Sequence, residues 1–206
     1  MNTQKELVDY LLSTGVMTTP NVIDAFKTVN RADFVLSEYV ANTFEDRPLP
    51  IGYGQTISQP RTVAFMLELL ELQVGDKVLD VGAGSGWTTA LMGEIVGVSG
   101  FVRGVELVSE LVMYGQKNLA KYNMSHVSIQ QSGTSYGLPE FAPYDRILVS
   151  ATCAEIPKDL ISQLAIGGQM VIPVKNDIVL YIKYTETEGK MKYFYGFSFV
   201  PLMEVD

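Results

Sequence analysis

Hydrophobic and polar positions along the chain change period several times, and each change predicts a different element. Apolar residues at helical spacing predict helices through residues 1–45, where Gly15 ends a first segment and Pro20 opens a second. Residues 47–57, RPLPIGYGQTI, break this pattern with two prolines and two glycines, so we expect loop or edge structure there rather than a regular element. A further helix is predicted to begin at Pro60 and to end near residue 71.

Beyond residue 75, short β-rich runs alternate with longer amphipathic stretches. The predicted strands are 77–81, 101–105, 127–130, 146–150 and 168–174, and the predicted helices are 88–96, 109–121 and 157–164. This alternation is typical of a parallel sheet covered by helices. Two further runs, 178–184 and 191–199, predict a closing pair of strands. We therefore predict an α/β fold that is Rossmann-like and doubly wound, with a mostly parallel sheet, helices on both faces and a helical N-terminal extension.

Composition excludes several classes of protein. The chain has 23 Asp and Glu residues but only 15 Lys and Arg residues, which gives a formal net charge of −8. The basic residues form no cluster in the sequence, so we do not expect nucleic acid as a partner. No apolar run approaches the roughly 18 residues that cross a bilayer, and the first residues do not resemble a signal peptide. We therefore expect a cytoplasmic protein without a membrane partner. One cysteine, Cys153, and one histidine, His126, predict neither an internal disulfide nor a metal site.

A glycine-rich turn follows the predicted strand 77–81. Gly82, Gly84 and Gly86 allow the main chain to turn tightly and to approach a ligand at the start of the next helix. A dinucleotide-binding G-x-G-x-x-G pattern would place its third glycine at position 87, which is Trp87, and the Lys-Ser/Thr pair of a P-loop is absent. A pyrophosphate clamp is therefore disfavoured, and close packing remains the alternative interpretation of such a turn.

An acidic residue is the second part of this pattern. Glu106 stands twenty residues after Gly86, at the end of the next predicted strand, where nucleotide-binding α/β folds place the carboxylate that accepts hydrogen bonds from ribose hydroxyls. A glycine loop and an acid without a phosphate clamp indicate an adenosine ligand that lacks phosphates. The sequence therefore points to S-adenosyl-L-methionine.

Three stretches resemble the protein-L-isoaspartate O-methyltransferase family: IGYGQTISQP at 51–60, VLDVGAGSGW at 78–87, and ATCAEIP at 151–157 with QLAIGGQMVIP at 163–173. The first is the most specific, because the second occurs across many methyltransferases. The resemblance implies methyl transfer from S-adenosyl-L-methionine to the carboxylate of L-isoaspartyl residues in damaged proteins, which leaves S-adenosyl-L-homocysteine. This chemistry needs no general base, because a carboxylate is already anionic at pH 7.

The resemblance also implies roles for individual residues. Ser58 would be the catalytic residue that binds and orients the acceptor carboxylate. The cofactor-binding residues would be Gln55, Thr56, Ile57, Asp80, Gly82, Ala83, Gly84, Ser85, Gly86, Glu106, Leu107, Gly133 and Thr134. We expect one domain over residues 1–206, acting as a monomer, in which 1–57 form a helical lead-in and active-site cover and 58–206 the cofactor-binding core.

Two positions depart from the pattern of the family. Gly133 stands where relatives usually carry an aspartate near the adenine amine. Losing the hydrogen bond between that aspartate and the amine weakens cofactor binding by on the order of 1 kcal/mol, unless Ser132 or Thr134 replaces it. Arg61 stands where relatives often carry histidine, and its cation could pair with a substrate carboxylate. Two alternatives therefore stay open: a related methyltransferase for ordinary aspartate or a small-molecule carboxylate, and a non-catalytic descendant.

Overall fold

The N-terminal part of the chain is helical, as predicted. The computed structural model describes residues 1–203. Helix α1 (Gln4–Ser13) and helix α2 (Pro20–Thr28) are followed by two short 3-10 helices, Arg31–Phe34 and Ser37–Asn42. Apolar side chains from both α-helices are buried in the larger of two hydrophobic clusters. The N-terminal helices are therefore packed as part of the core.

A small antiparallel hairpin occupies the stretch within the helical lead-in 1–57 where we expected loop or edge structure rather than a regular element. Strands β1 (Leu49–Gly52) and β2 (Gln55–Ile57) pair with Leu49 opposite Ile57, and both of these side chains are buried. Pro50 is tolerated because the strand lies at the edge of its sheet. The expectation was wrong here because local Pro and Gly content does not reveal pairing between two short segments.

The main sheet has seven strands in the order β5-β4-β3-β6-β7-β8-β9. The strands are β3 (Lys77–Val81), β4 (Phe101–Glu106), β5 (Val127–Gln131), β6 (Tyr144–Val149), β7 (Leu164–Val174), β8 (Asp177–Lys183) and β9 (Gly189–Tyr195). The five strands from β5 to β7 are parallel, and β8 and β9 add antiparallel pairs at one edge. Helix α3 (Pro60–Leu70) precedes β3, and three helices connect strands of the sheet: α4 (Trp87–Val96), α5 (Ser109–Leu119) and α6 (Lys158–Gln163).

Side chains on both faces of the sheet are buried. Val78 and Leu148 belong to the larger cluster, whereas their neighbours Leu79 and Ile147 belong to the second cluster. This alternation follows from the two-residue period of a strand, which sends successive side chains to opposite faces. Leu160 of α6 lies in the second cluster, so helices cover both faces. The predicted Rossmann-like, doubly wound fold is confirmed.

The last predicted strand, 191–199, is wrong in its second half. Strand β9 ends at Tyr195, and Gly196 follows with a φ of +92°, which turns the chain away from the sheet edge. The chain then pairs with Thr152, whose N–H donates to the Val200 carbonyl at 2.8 Å and whose carbonyl accepts from the Leu202 N–H at 2.7 Å. We call residues 200–203 the C-terminal segment.

The order of strands reverses between β3 and β6. From β3 the chain adds β4 and β5 on one side and then crosses to β6 on the other. In open α/β sheets, ligands bind at the carboxyl ends of the strands where the order reverses. At this position β3 ends at Val81 and β6 ends at Val149, so the residues that follow these two strands face a shared crevice.

Candidate active site

A cavity of about 820 Å³ opens at this crevice. Its walls come from the hairpin, the turn after β3, the end of β4, the loop after β5, the residues after β6 and the C-terminal segment. The lining residues are 51, 55–58, 81–85, 87, 88, 105–107, 132, 136, 137, 150, 151 and 200–203.

The glycine loop, residues 82–86, presents main chain to the cavity. Gly82, Gly84 and Gly86 all have positive φ values, between +51° and +87°, a conformation that favours glycine. A Cβ atom on Gly84 would lie 3.1 Å from the Cδ1 atom of Ile51, so the hairpin and the loop are in close contact. Gly86 faces away from the cavity, and a Cβ atom there would lie 3.2 Å from the carbonyl oxygen of Gly115 in α5.

Glu106 connects the glycine loop to the next loop. Its Oε2 atom accepts a hydrogen bond from the Gly84 N–H at 2.9 Å, and its Oε1 atom accepts from the N–H groups of Leu107 and Val108 at 2.8 and 3.0 Å. The side chain is buried and also lines the cavity. Because each carboxylate oxygen can accept more than one hydrogen bond, this fixed carboxylate retains acceptor capacity for the hydroxyls of a ligand.

Asp80 lies beneath the glycine loop and does not line the cavity. It is fully buried, and its Oδ2 atom accepts hydrogen bonds from the hydroxyls of Thr88 and Thr89 at 2.8 and 2.7 Å. Its Oδ1 atom has no hydrogen-bond partner among the described residues. Burial raises the pKa of Asp80 to about 6, against the lowering effect of the two threonine hydroxyls. Asp80 therefore reaches the cavity only through Thr88, which lines it.

A second, larger cleft of about 1560 Å³ adjoins the first cavity. It is lined by residues 16, 48, 56, 58, 59, 61, 62, 65, 150 and 196–200. The two spaces share Thr56, Ser58, Ser150 and Val200, so these residues form the boundary between them. Arg61 is the one charged side chain among the described residues that line the cleft, and it is exposed.

Most of the predicted site residues surround the first cavity. Those that line it are Gln55, Thr56, Ile57, Ser58, Gly82, Ala83, Gly84, Ser85, Glu106 and Leu107. Asp80 and Gly86 lie outside its lining, for the reasons given above. Gly133 and Thr134 are exposed and do not line the cavity either, whereas Ser132 of the same loop does. Within residues 1–203, no group of three or more His, Cys, Asp or Glu side chains is placed to hold a metal ion.

Several residues of the site were not predicted from the sequence. Ser150 follows β6 directly beside the end of β3, and the rule for strand-order reversal could have identified it. The C-terminal segment reaches the cavity through its pairing with Thr152, for which no local sequence signal exists. Trp87, which stands where a dinucleotide-binding pattern would have its third glycine, is buried and also lines the cavity.

Arg31 is another residue that the sequence did not indicate. Its guanidinium is fully buried and donates from Nη1 to the carbonyls of Thr43 and Glu45, at 2.5 and 3.1 Å. From Nη2 it donates to the carbonyls of Arg47 and Ser58, at 3.0 and 3.1 Å. Burial lowers the pKa of Arg31 to about 9. The main chain at Ser58 is thereby fixed to the N-terminal part of the protein.

Proteins with similar sequences are protein-L-isoaspartate O-methyltransferases. A protein-L-isoaspartate O-methyltransferase of Aeropyrum pernix is 48% identical over 169 residues, which are 82% of this chain and 65% of that relative. One from Ignicoccus hospitalis is 41% identical over 205 residues, which are 98% of this chain and 97% of the relative. The chain thus spans about two thirds of the first relative and nearly all of the second.

A solved structure has the same fold. It is a protein-L-isoaspartate O-methyltransferase (PCMT) from Plasmodium falciparum in complex with S-adenosyl-L-homocysteine. It matches with a TM-score of 0.88 at 24% identity and covers 99% of this chain and 100% of its own. The family described as Protein-L-isoaspartate(D-aspartate) O-methyltransferase (PCMT) matches residues 2–206. The chain therefore belongs to the protein-L-isoaspartate (D-aspartate) O-methyltransferase family.

Proposed function

We propose that this protein transfers the methyl group of S-adenosyl-L-methionine to the carboxylate of L-isoaspartyl residues in damaged proteins. Membership of the family gives the reaction class. The observation that carries the proposal is the boundary between the two spaces, where Ser58 faces both the cavity and the cleft. A methyl donor and a peptide acceptor can approach each other only where their sites meet.

The cavity suits an adenosine-containing methyl donor. Residues 82–85 offer main chain at the start of a helix, and Glu106 offers fixed carboxylate oxygens to ribose hydroxyls. Gln55, Thr56 and Ile57 of the hairpin would cover the donor, and Leu107 would lie beside it. Ser132, rather than Gly133 or Thr134, would meet the adenine amine, because it alone of the three lines the cavity. S-adenosyl-L-homocysteine would leave from the same site.

The acceptor needs alignment rather than activation. When bound, S-adenosyl-L-methionine supplies a methyl group on a positively charged sulfur. The acceptor carboxylate is already ionised at pH 7, so the protein does not have to remove a proton from it. Ser58 would orient this carboxylate by donating its hydroxyl hydrogen, and the hairpin would exclude water from the reacting atoms. The rate enhancement would come from positioning the two reactants.

The cleft suits a peptide. Phe65, Phe197 and Phe199 give it an aromatic wall, and Phe65 stacks on Phe197 with ring centroids 5.4 Å apart. Arg61, as the one charge among the described lining residues, would pair with a carboxylate of the substrate. Its exposed position means that such a pair would adjust substrate affinity only modestly.

We extend the proposal to the organisation of the protein. It would act as a monomer in the cytoplasm and form one domain over residues 1–206. The N-terminal helices pack into the same core as the sheet, which supports the single domain. A net charge of −8 opposes binding to nucleic acid. None of the helices in residues 1–203 has the length and apolar character that crossing a bilayer requires.

The test is methyl transfer from labelled S-adenosyl-L-methionine to two peptides that differ only in one isoaspartyl or aspartyl residue. We expect label on the isoaspartyl peptide alone, and a kcat at least tenfold lower in Ser58→Ala. The matched control is Ser128→Ala, which removes a partly buried hydroxyl that bonds Arg103 outside both spaces. Its kcat should remain within twofold of the wild type.

Each other outcome selects an alternative. Equal label on both peptides would mean that the acceptor is an ordinary carboxylate, as Arg61 in the cleft would also permit. No label on either peptide, with S-adenosyl-L-homocysteine still bound in a calorimetric titration, would mean that the acceptor is a small-molecule carboxylate. No label and no binding of S-adenosyl-L-homocysteine would mean that the chain is a non-catalytic descendant.

A further inference from the structure

Arg31 is a buried cation that the proposed reaction does not use. It forms no ion pair with a described carboxylate, and its Nε atom has no hydrogen-bond partner among the described residues. Four carbonyl oxygens, the face of the Trp87 ring and the more distant Asp46 carboxylate compensate the charge. Burying a charge costs several kcal/mol unless its geometry is good, so an apolar residue would be the simpler solution for packing alone.

The guanidinium lies between the two parts of the site. Its Nη2 atom connects the carbonyls of Arg47 and Ser58, and its central carbon lies 5.2 Å from the centre of the Trp87 ring. Trp87 begins α4 directly after the glycine loop and lines the cavity. One rigid side chain therefore sets the spacing between the main chain at Ser58 and the wall of the cofactor cavity.

Asp46 forms hydrogen bonds with the residues that directly follow Ser58 in the chain. Its Oδ1 atom accepts a hydrogen bond from the Arg61 N–H at 2.9 Å, and its Oδ2 atom accepts from Nε2 of Gln59 at 3.2 Å. These contacts fix the residues that follow Ser58. Among the described residues, Arg31 is the one that forms a hydrogen bond with Ser58 itself, through the Ser58 carbonyl oxygen.

We propose that Arg31 is a positioning residue that fixes Ser58 relative to the cofactor wall at Trp87. The inference rests on the proposed function, since it assigns a purpose to the position of Ser58. A displacement of about 1 Å at a reacting centre can lower a rate by a factor of up to about 100. Loosening Arg31 therefore lowers kcat for the isoaspartyl peptide, while the cavity still binds the cofactor.

A purely structural role makes a different prediction. If Arg31 only holds the N-terminal segment to the core, its replacement lowers stability and leaves the kinetics of the folded protein unchanged. Arg146 offers a matched control, because it also donates to main-chain carbonyls, those of Leu70, Glu71 and Asp145, at 2.8–3.3 Å. It lines neither the cavity nor the cleft.

The experiment compares Arg31→Lys with Arg146→Lys, since lysine keeps the charge but cannot reproduce the planar fork of donors. For Arg31→Lys we expect a kcat at least tenfold lower, with the Kd of S-adenosyl-L-homocysteine changed by less than threefold. For Arg146→Lys we expect lower thermal stability with kcat within twofold of the wild type. A kcat within twofold for Arg31→Lys, or an equal loss in Arg146→Lys, would overturn the proposal.

A second readout does not depend on catalysis. Trp87 is the single tryptophan of the chain, so its fluorescence reports on its environment directly. Arg31→Lys should shift this emission and speed amide hydrogen exchange at residues 56–61 at least tenfold, and Arg146→Lys should do neither. Should Arg31→Lys not fold, Arg31→Gln replaces it, because glutamine removes the buried charge and keeps two donors.

These outcomes separate the proposed methyltransferase function from the proposed positioning role of Arg31. A wild-type protein that methylates neither peptide would contradict the proposed function, and the fluorescence and exchange comparison would still decide whether Arg31 positions Ser58. Unchanged emission and unchanged exchange in the Arg31 variant would overturn the inference about Arg31 whatever the activity.

Discussion

At the scale of single residues, Asp80 is a buried carboxylate beside the cavity that does not line it. It holds the hydroxyls of Thr88 and Thr89, and Thr88 lines the cavity. Two hydroxyl donors only partly offset the loss of water around the carboxylate, so burial dominates and the pKa of Asp80 rises to about 6. Asp80 thus fixes the first turn of α4 at a cost in stability.

This cost should depend on pH. Between the unfolded pKa of 3.8 and the folded pKa of about 6, the folded state holds a proton that the unfolded state releases. The free energy of unfolding therefore rises as pH falls through this window, by about 1 kcal/mol between pH 7.5 and pH 5 for this group alone. Asp80→Asn should lack this contribution, while its amide oxygen still accepts from a threonine hydroxyl.

Urea unfolding of both proteins at pH 7.5 and pH 5 measures the effect. The stability gained by the wild type on acidification should exceed that of Asp80→Asn by about 1 kcal/mol. Other titrating groups are common to both proteins, so they cancel in the difference. Identical pH dependence in the two proteins would show that Asp80 has an ordinary pKa.

At the scale of elements, the contact between α5 and the glycine loop determines how closely the main chain approaches the ligand. A Cβ atom on Gly115 would lie 2.9 Å from the Gly84 carbonyl oxygen, which is backbone and cannot move aside without moving the loop. Gly115→Ala gains at most about 1 kcal/mol in helix propensity. Crowding in a packed interior costs typically about 1–3 kcal/mol, so the steric effect should prevail.

We therefore expect Gly115→Ala to lower the free energy of unfolding and to weaken binding of S-adenosyl-L-homocysteine at least tenfold. Gly93→Ala in α4 is the control, because its Cβ would meet side chains of Val127 and Met124 rather than the loop. It should alter stability without altering affinity. Calorimetric titration gives the affinities, and equal affinities for both variants would show that the loop adapts to the change.

Elements whose signals are local were predicted from the sequence. The sequence predicted that the glycine loop and Glu106 belong to one site. They lie together because β3 and β4 are parallel neighbours, which brings their carboxyl ends to one edge of the sheet. The hairpin at 49–57 and the C-terminal segment were missed, because both depend on pairing between separate segments. The loop after β5 has no regular secondary structure, so the sequence shows no periodicity that would tell which of its residues faces the cavity. Ser132 lines the cavity, whereas Gly133 does not.

At the scale of the whole molecule, two electrostatic effects act on a peptide in opposite directions. The net charge of −8 attracts basic peptides and repels acidic ones over long distances. We expect Arg61 in the cleft to favour an acidic side chain over a few ångströms. Salt separates the two, because the screening length falls from about 30 Å at 0.01 M to about 8 Å at 0.15 M.

The two effects can be measured with isoaspartyl peptides that carry either lysine or glutamate beside the reacting residue. At 0.01 M salt the lysine peptide should have the lower KM, and the difference should shrink at 0.15 M as the long-range field is screened.

Arg61→Gln should raise KM for the glutamate peptide by up to about fivefold, as expected for an exposed ion pair, and leave the KM of the lysine peptide nearly unchanged. Lys27→Gln removes the same charge from the exposed surface of α2, outside the cleft, and should affect both peptides only slightly. Equal effects of the two variants on the glutamate peptide would mean that Arg61 acts through net charge and does not contact the substrate.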